Sequence, residues 1–212
     1  MKRGYFITFE GPEGAGKSSQ IQLLGAALTA AGHEVVVTRE PGGTPLAEAI
    51  RNVVKGHRGE EQVHPVTELL LMEAARSQHV TQVILPAFEA GKIVLCDRFY
   101  DSTTAYQGGG RGLDVDTILR LNAFAAQGVV PDLTILLDLP PERGFERTGH
   151  RVETQGEYDR FELEKLDFHR RVRAAFLELA RREPRRIKVV DADREQSVIH
   201  RDIKEAADEL VR

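Results

Sequence analysis

The stretch Gly11-Pro12-Glu13-Gly14-Ala15-Gly16-Lys17-Ser18 fits the pattern G-x-x-x-x-G-K-[ST], and its flanks give that pattern physical force. Tyr5 to Glu10 before it reads as a short buried strand, and Ser19 to Ala31 behind it carries a helical pattern. Between a strand and a helix, the glycines let successive backbone N–H groups turn inward around phosphate oxygens. Lys17 adds a point charge, and the Ser18 hydroxyl can ligate Mg²⁺. Gly11, Pro12, Glu13, Gly14, Ala15, Gly16, Lys17, Ser18 and Ser19 are therefore expected to hold the phosphates of a nucleoside triphosphate such as ATP.

Working outward, four more β-branched runs recur between helical patterns: Val35 to Arg39, Ile93 to Asp97, Leu133 to Asp138 and Ile187 to Asp191. Their near-continuous hydrophobicity suits strands covered on both faces, so the pattern predicts an α/β fold with a five-stranded parallel sheet and helices on both faces. Pro65 to Ala90 and Glu157 to Arg182 read as the longest helical stretches. Gly108-Gly109-Gly110 with Gly112 reads as a loop or lid, and so does the charged run Glu142 to Arg160. Ligands of such sheets bind beyond the carboxyl ends of the strands, which gathers Glu13, Arg39-Glu40, Asp97-Arg98 and the stretch after Asp138 around one crevice.

Composition narrows the function classes. The 212 residues suit one domain of residues 1–212, 41% hydrophobic and 29% charged, with no run approaching a membrane span. Met1-Lys2-Arg3 is basic, but the apolar run behind it is short and meets Glu10, so no signal peptide is expected and a cytoplasmic location is inferred. The lone Cys96 excludes an internal disulfide, and the seven histidines show no metal-ligand spacing. A net charge of −4 argues against nucleic acid as a partner.

Asp97 ends an apolar strand and Arg98 follows at once. The pair can hold Mg²⁺ through water and clamp a phosphate bidentately, or simply close the strand as an ion pair. Asp138 also ends a strand, but Pro140-Pro141-Glu142 follow, which suits capping and turn chemistry at the next helix. Glu10 reads as a satisfied group behind the loop.

Thr38-Arg39-Glu40-Pro41-Gly42-Gly43-Thr44 and Asp97-Arg98-Phe99-Tyr100-Asp101-Ser102-Thr103-Thr104-Ala105-Tyr106-Gln107-Gly108-Gly109-Gly110, added to the phosphate loop, resemble the thymidylate kinase family. The resemblance runs on through Tyr158-Asp159-Arg160-Phe161-Glu162 to Val190-Asp191-Ala192. It implies a P-loop nucleoside monophosphate kinase fold with a short lid at about 142–160, transfer of phosphate from ATP to dTMP with Mg²⁺, and a homodimer. By position, Glu13 resembles the acid near the deoxyribose 3′-hydroxyl, Arg39-Glu40 the pair at the acceptor phosphate, and Arg98 the arginine holding that phosphate. Arg76 and Gln107 resemble readers of the thymine edge, Thr103 and Arg51 match further base-site positions, and Tyr106 matches the ring crowding the sugar 2′ position. Asp159 and Glu162 resemble acids flanking the lid.

Two positions are particular to this chain. Met72 stands where the family commonly stacks an aromatic ring on thymine; it either covers the base with its thioether or belongs to the core. Gly14 stands where some members carry a loop arginine, so the resemblance implies that the lid arginines Arg143, Arg147 and Arg151 supply the positive charge, with Arg151 the best match. The acceptor is itself a phosphate, so no side-chain base is needed. Lys17, Arg98, Arg147 and Arg151 act by position and charge, while Ser18 and Asp97 hold Mg²⁺. Another small-molecule P-loop kinase is the alternative. A GTP switch is disfavoured by the lack of N-K-x-D and D-x-x-G elements.

Overall fold

Phe6–Glu10 (β1) is apolar at three of five positions and wholly buried, so it takes the middle of the sheet. The computed structural model describes residues 4–57, 59–147, 160–161 and 163–211. The other strands are Val35–Arg39 (β2), Ile93–Asp97 (β3), Leu133–Asp138 (β4) and Ile187–Asp191 (β5), in the order β2-β3-β1-β4-β5, every pair parallel. Strand order reverses at β1, which opens a crevice at its carboxyl end. β2 and β5, at the edges, mix covered and exposed residues, whereas β3 and β4 are buried almost throughout.

Helices cover both faces. Lys17–Ala30 (α1) and Gln196–Val211 (α9) pack on one side, where Phe9, Leu24, Leu95, Ile135, Leu137 and Ile203 are fully buried. On the other side lie Pro45–Gly56 (α2), Pro65–His79 (α3), Leu85–Glu89 (α4), Tyr100–Thr103 (α5), Val115–Ala125 (α6) and Leu166–Arg182 (α8). Residues 141–147 (α7) are helical as well. Thr44 caps α2, accepting from Ala47 N–H, and Pro45 sits at the first turn where its missing N–H costs nothing. The expected helix from Pro65 to Ala90 is present but widens into a π turn at Val80–Ile84, just before Pro86, which has no amide hydrogen to continue the ladder.

Three expectations are corrected. Gly108-Gly109-Gly110 forms no loop: Thr104–Gly110 is a buried π-helical segment. A Cβ on Gly109 would stand 2.5 Å from that of Ala175, and one on Gly110 2.5 Å from the Phe168 ring, so these glycines let the segment approach α8. The helix expected from Glu157 begins at Leu166, since Arg160 and Phe161 form a turn. The Asp138 carboxylate pairs with Arg173 at 2.7 and 2.8 Å, and among the described residues no cap by it is seen. Arg151, Tyr158, Asp159 and Glu162 lie outside the described residues.

Candidate active site

The loop after β1 turns back on itself through positive φ angles at Gly11, Gly14 and Gly16, the last leading directly into α1. That places the amino end of a 14-residue helix, with its free N–H groups, at the sheet's open edge. Lys17 bridges the loop, donating from Nζ to the carbonyls of Gly11 (3.1 Å) and Pro12 (2.9 Å). Burial and the nearby Arg98 charge push its ammonium below the ordinary pKa, against the opposing pull of Glu13 and Asp97. Such an ammonium gains most from an arriving polyanion.

Ser18 Oγ donates to Asp97 Oδ2 at 3.1 Å, so the hydroxyl of the loop and the carboxylate ending β3 already face one another. Asp97 Oδ1 is buried without a hydrogen-bond partner. One hydroxyl and one under-used carboxylate beside a phosphate cradle fit Mg²⁺, which keeps water and phosphate oxygens for most of its octahedron. Among the described residues no cluster of three or more His, Cys, Asp or Glu offers an all-protein cage.

Arg98 is the centre of the side facing the loop. Its φ of 71° is rare for a residue with a side chain, and Arg98 N–H bonds Phe9 O while Cys96 Sγ lies 3.0 Å from Arg98 O, which fixes the turn. The guanidinium donates to Gly11 O, Ser102 Oγ, Glu13 Oε1 (2.7 Å) and Tyr106 OH, and lies over the Tyr106 ring at 5.1 Å. Burial opposes its charge, yet Tyr106, Glu13, Asp97 and Glu10 push its pKa up. In Glu13, burial works against ionisation, but Arg98, Lys17 and Lys55 hold the carboxyl well below the usual range. Behind them Glu10 accepts from Phe99 N–H and from the Ser102 hydroxyl (2.5 Å), and burial together with Asp101 pushes its pKa up to about 8.

A cavity of about 630 Å³ opens beyond Arg98, of the size that takes one small ligand. Its lining brings together Glu13, Gly14, Gly16, Lys17, Ser18, Ser19, Asp97 and Arg98 at the phosphate end with Arg39, Glu40, Arg51, Met72, Arg76, Thr103, Tyr106 and Gln107 further in. Gly11 does not line it but its carbonyl accepts from Lys17 and Arg98, which do; Pro12 and Ala15 do not line it. Arg76, buried, donates to Glu40 (2.8 Å), Glu73, Asn122 and Thr103. Glu40 also accepts from or pairs with His79 Nδ1 at 2.9 Å, so its carboxylate faces Arg76 and His79. Arg39 is half exposed and pairs with Glu48, while Arg51 donates to Pro41 O. Met72 does two things: it borders the cavity and packs against the cluster around Phe168 and Phe176. Arg147 borders the cavity too and bonds Gly14 O, Ala192 O and Asp193; Arg143 faces Asp193 and Glu146 in an adjoining recess.

Sequence reasoning passed over Glu68, Asn122 and Ser102, which hold the arginines and Gln107 in place, and His79, which holds Glu40. For Glu68 a signal existed: Glu68, Met72 and Arg76 recur every four residues along one face of α3.

A phosphate cradle at the head of α1, a hydroxyl–carboxylate pair beside it and a cavity continuing inward beyond Arg98 define a P-loop phosphotransferase with a nucleoside monophosphate kinase fold. The thymidylate kinase sequence-family model matches residues 9–203. The chain is 54% identical over 192 residues to the thymidylate kinase of Geobacter sulfurreducens, covering 90% of each, and 49% identical over 209 residues to that of Deinococcus radiodurans, covering 99% of this chain and 98% of the relative. The crystal structure of thymidylate kinase from Ehrlichia chaffeensis superposes with a TM-score of 0.77 at 33% identity, covering 97% of this chain and 99% of that one. The chain belongs to the thymidylate kinase family.

Proposed function

We propose that the chain transfers the γ-phosphoryl group of ATP to dTMP, giving dTDP, with the residues of the cavity in the following roles. Lys17 and the amides of the loop hold the ATP phosphates. Arg98, tethered by Glu13 and Tyr106, holds the acceptor phosphate opposite them, and the base lies inward against Met72, Arg76, Thr103 and Gln107. The acceptor is largely dianionic near neutral pH, since its second pKa is about 6, so the residues need only align two phosphates and offset their repulsion. Ser18 and Asp97 would hold Mg²⁺, which supplies charge neutralisation between phosphates. Tyr106 narrows the sugar end, which disfavours a 2′-hydroxyl. The observation that carries the reading is the single cavity with the phosphate cradle at one end and the buried Arg76–Glu40 pair at the other.

The recess between Arg143 and the Asp193–Glu195 turn continues the loop's far side and suits the nucleoside end of ATP. A lid at about 142–160, closing over the transferring group, completes a single domain of 1–212. A homodimer is supported by apolar side chains left exposed on two packed helices, Leu70 on α3 with Leu119 and Phe124 on α6. No described helix is long and apolar enough to cross a membrane, and the composition fits a cytoplasmic enzyme.

ADP release measured across dTMP, dUMP, dCMP, dGMP, AMP and UMP tests the substrate. The expected order puts dTMP first, dUMP lower by about 1–3 kcal/mol in transition-state binding for one methyl group, and UMP far below. Comparable kcat/KM for dTMP and UMP would overturn it.

A further inference from the structure

Glu68 lies on the same face of α3 as Met72 and Arg76 but behind the cavity wall, with its side chain fully buried. Its two oxygens take four donors. Oε1 accepts from Gln107 Nε2 at 2.7 Å and Arg111 Nε at 3.2 Å; Oε2 accepts from Arg160 Nη2 at 2.5 Å and Arg111 Nη2 at 3.1 Å. A carboxylate between two guanidiniums can only accept, so Gln107 must turn its amide nitrogen toward it. The carbonyl Oε1 of Gln107 is the end left for the cavity that Gln107 lines. Flipping the amide would set that carbonyl against a buried carboxylate and forfeit a buried hydrogen bond.

Arg76, on the same wall, offers the opposite polarity. Of its five N–H groups four are taken by Glu40, Glu73, Asn122 and Thr103, which leaves one on Nη2. The wall thus presents a donor from Arg76 and an acceptor from Gln107. Thymine carries a carbonyl O4 beside an N3–H, which matches that order, whereas cytosine carries an amino group beside an unprotonated N3, which reverses it.

We propose that Glu68, which no cavity-facing role requires, is a positioning residue that sets base specificity: it locks the Gln107 amide with its acceptor toward the base, so that dTMP is accepted and dCMP rejected. The proposal rests on the reading of Gln107 as a base contact. A site built to hydrogen-bond one pattern rejects its inverse strongly, because buried polar groups are then left unpaired.

The test is kcat/KM for dTMP and for dCMP in the wild-type enzyme, Glu68→Gln, Glu68→Asp and Gln107→Ala. Glu68→Gln can meet Gln107 through either end of the amide, so the dTMP:dCMP ratio should fall at least about tenfold, mostly through KM for dTMP. Glu68→Asp keeps an acceptor-only group and should keep the ratio even where both rates drop; a general loss of packing would lower both substrates together. An unchanged ratio in Glu68→Gln with a reduced one in Gln107→Ala would leave Gln107 at the base and overturn the role of Glu68. An unchanged ratio in both would remove Gln107 from the base and the proposal with it. Should Glu68→Gln not fold, competition by N3-methyl-dTMP in the wild-type enzyme decides: at least tenfold weaker inhibition than dTMP is expected, and equal inhibition overturns an acceptor facing N3.

Discussion

Gly14 of the phosphate loop and Gly144 of α7 meet backbone to backbone: a Cβ on Gly14 would stand 2.7 Å from Gly144 O, and one on Gly144 2.6 Å from Glu13 O. The loop and the base of the proposed lid are therefore packed directly on one another. Gly14 also has a φ of +76°, so any side chain there carries strain besides the clash. Gly14→Ala should cost about 1–3 kcal/mol, lowering Tm by several degrees in a thermal scan, and should reduce kcat. Unchanged Tm and kcat would show that loop and α7 separate freely.

The same contact crowds position 14, and the proposed mechanism takes the charge at the transferring group from the lid arginines. Both Arg147 and Arg143 pair with Asp193, but Arg147 also reaches Gly14 O, whereas Arg143 turns to Glu146. Single-turnover and steady-state kinetics should give about a 10³-fold loss of kcat for Arg151→Ala, less for Arg147→Ala and least for Arg143→Ala, with KM values within a few-fold. A large loss confined to Arg147→Ala would transfer the role to Arg147; three near-normal rates would take the lid out of catalysis.

Arg98→Lys keeps the charge but not the fork. One ammonium cannot reach Gly11 O, Ser102, Glu13 and Tyr106 at once and still meet a phosphate, so kcat/KM for dTMP should fall by about 10²-fold. Near wild-type kinetics would contradict a bidentate hold on the acceptor.

Glu10 links pH to stability. Its pKa rises from an ordinary 4.5 to about 8 in the folded chain, so between those values the native state binds a proton that the unfolded chain has released. The slope of unfolding free energy with pH is then negative: the contribution is fully present below about 4.5 and is lost as pH rises through about 8. Tm measured from pH 5 to 9 should decline more steeply in wild type than in Glu10→Gln, whose amide cannot ionise. Parallel profiles would rule out Glu10 as the titrating group.

Much of the fold was legible in the sequence because strand and loop signals are local. Four strands fall where β-branched runs end at Arg39, Asp97, Asp138 and Asp191, and the phosphate loop needs only its own glycines and Lys17. The resemblance pointed to Arg39, Glu40, Arg98, Thr103, Tyr106 and Gln107, which line the cavity, for the same reason, since their motifs are contiguous. Tertiary structure decided the rest, where one residue's role depends on a distant partner. Gly108 to Gly110 looked like a loop until α8 was seen to press on them, and Asp138 looked like a cap until Arg173, 35 residues on, took its carboxylate. Glu68 gained meaning only when Gln107, Arg111 and Arg160 converged on it. Backbone propensity and turn chemistry act over a few residues, so sequence carries them; which charge a buried carboxylate meets is settled by packing between elements far apart in the chain.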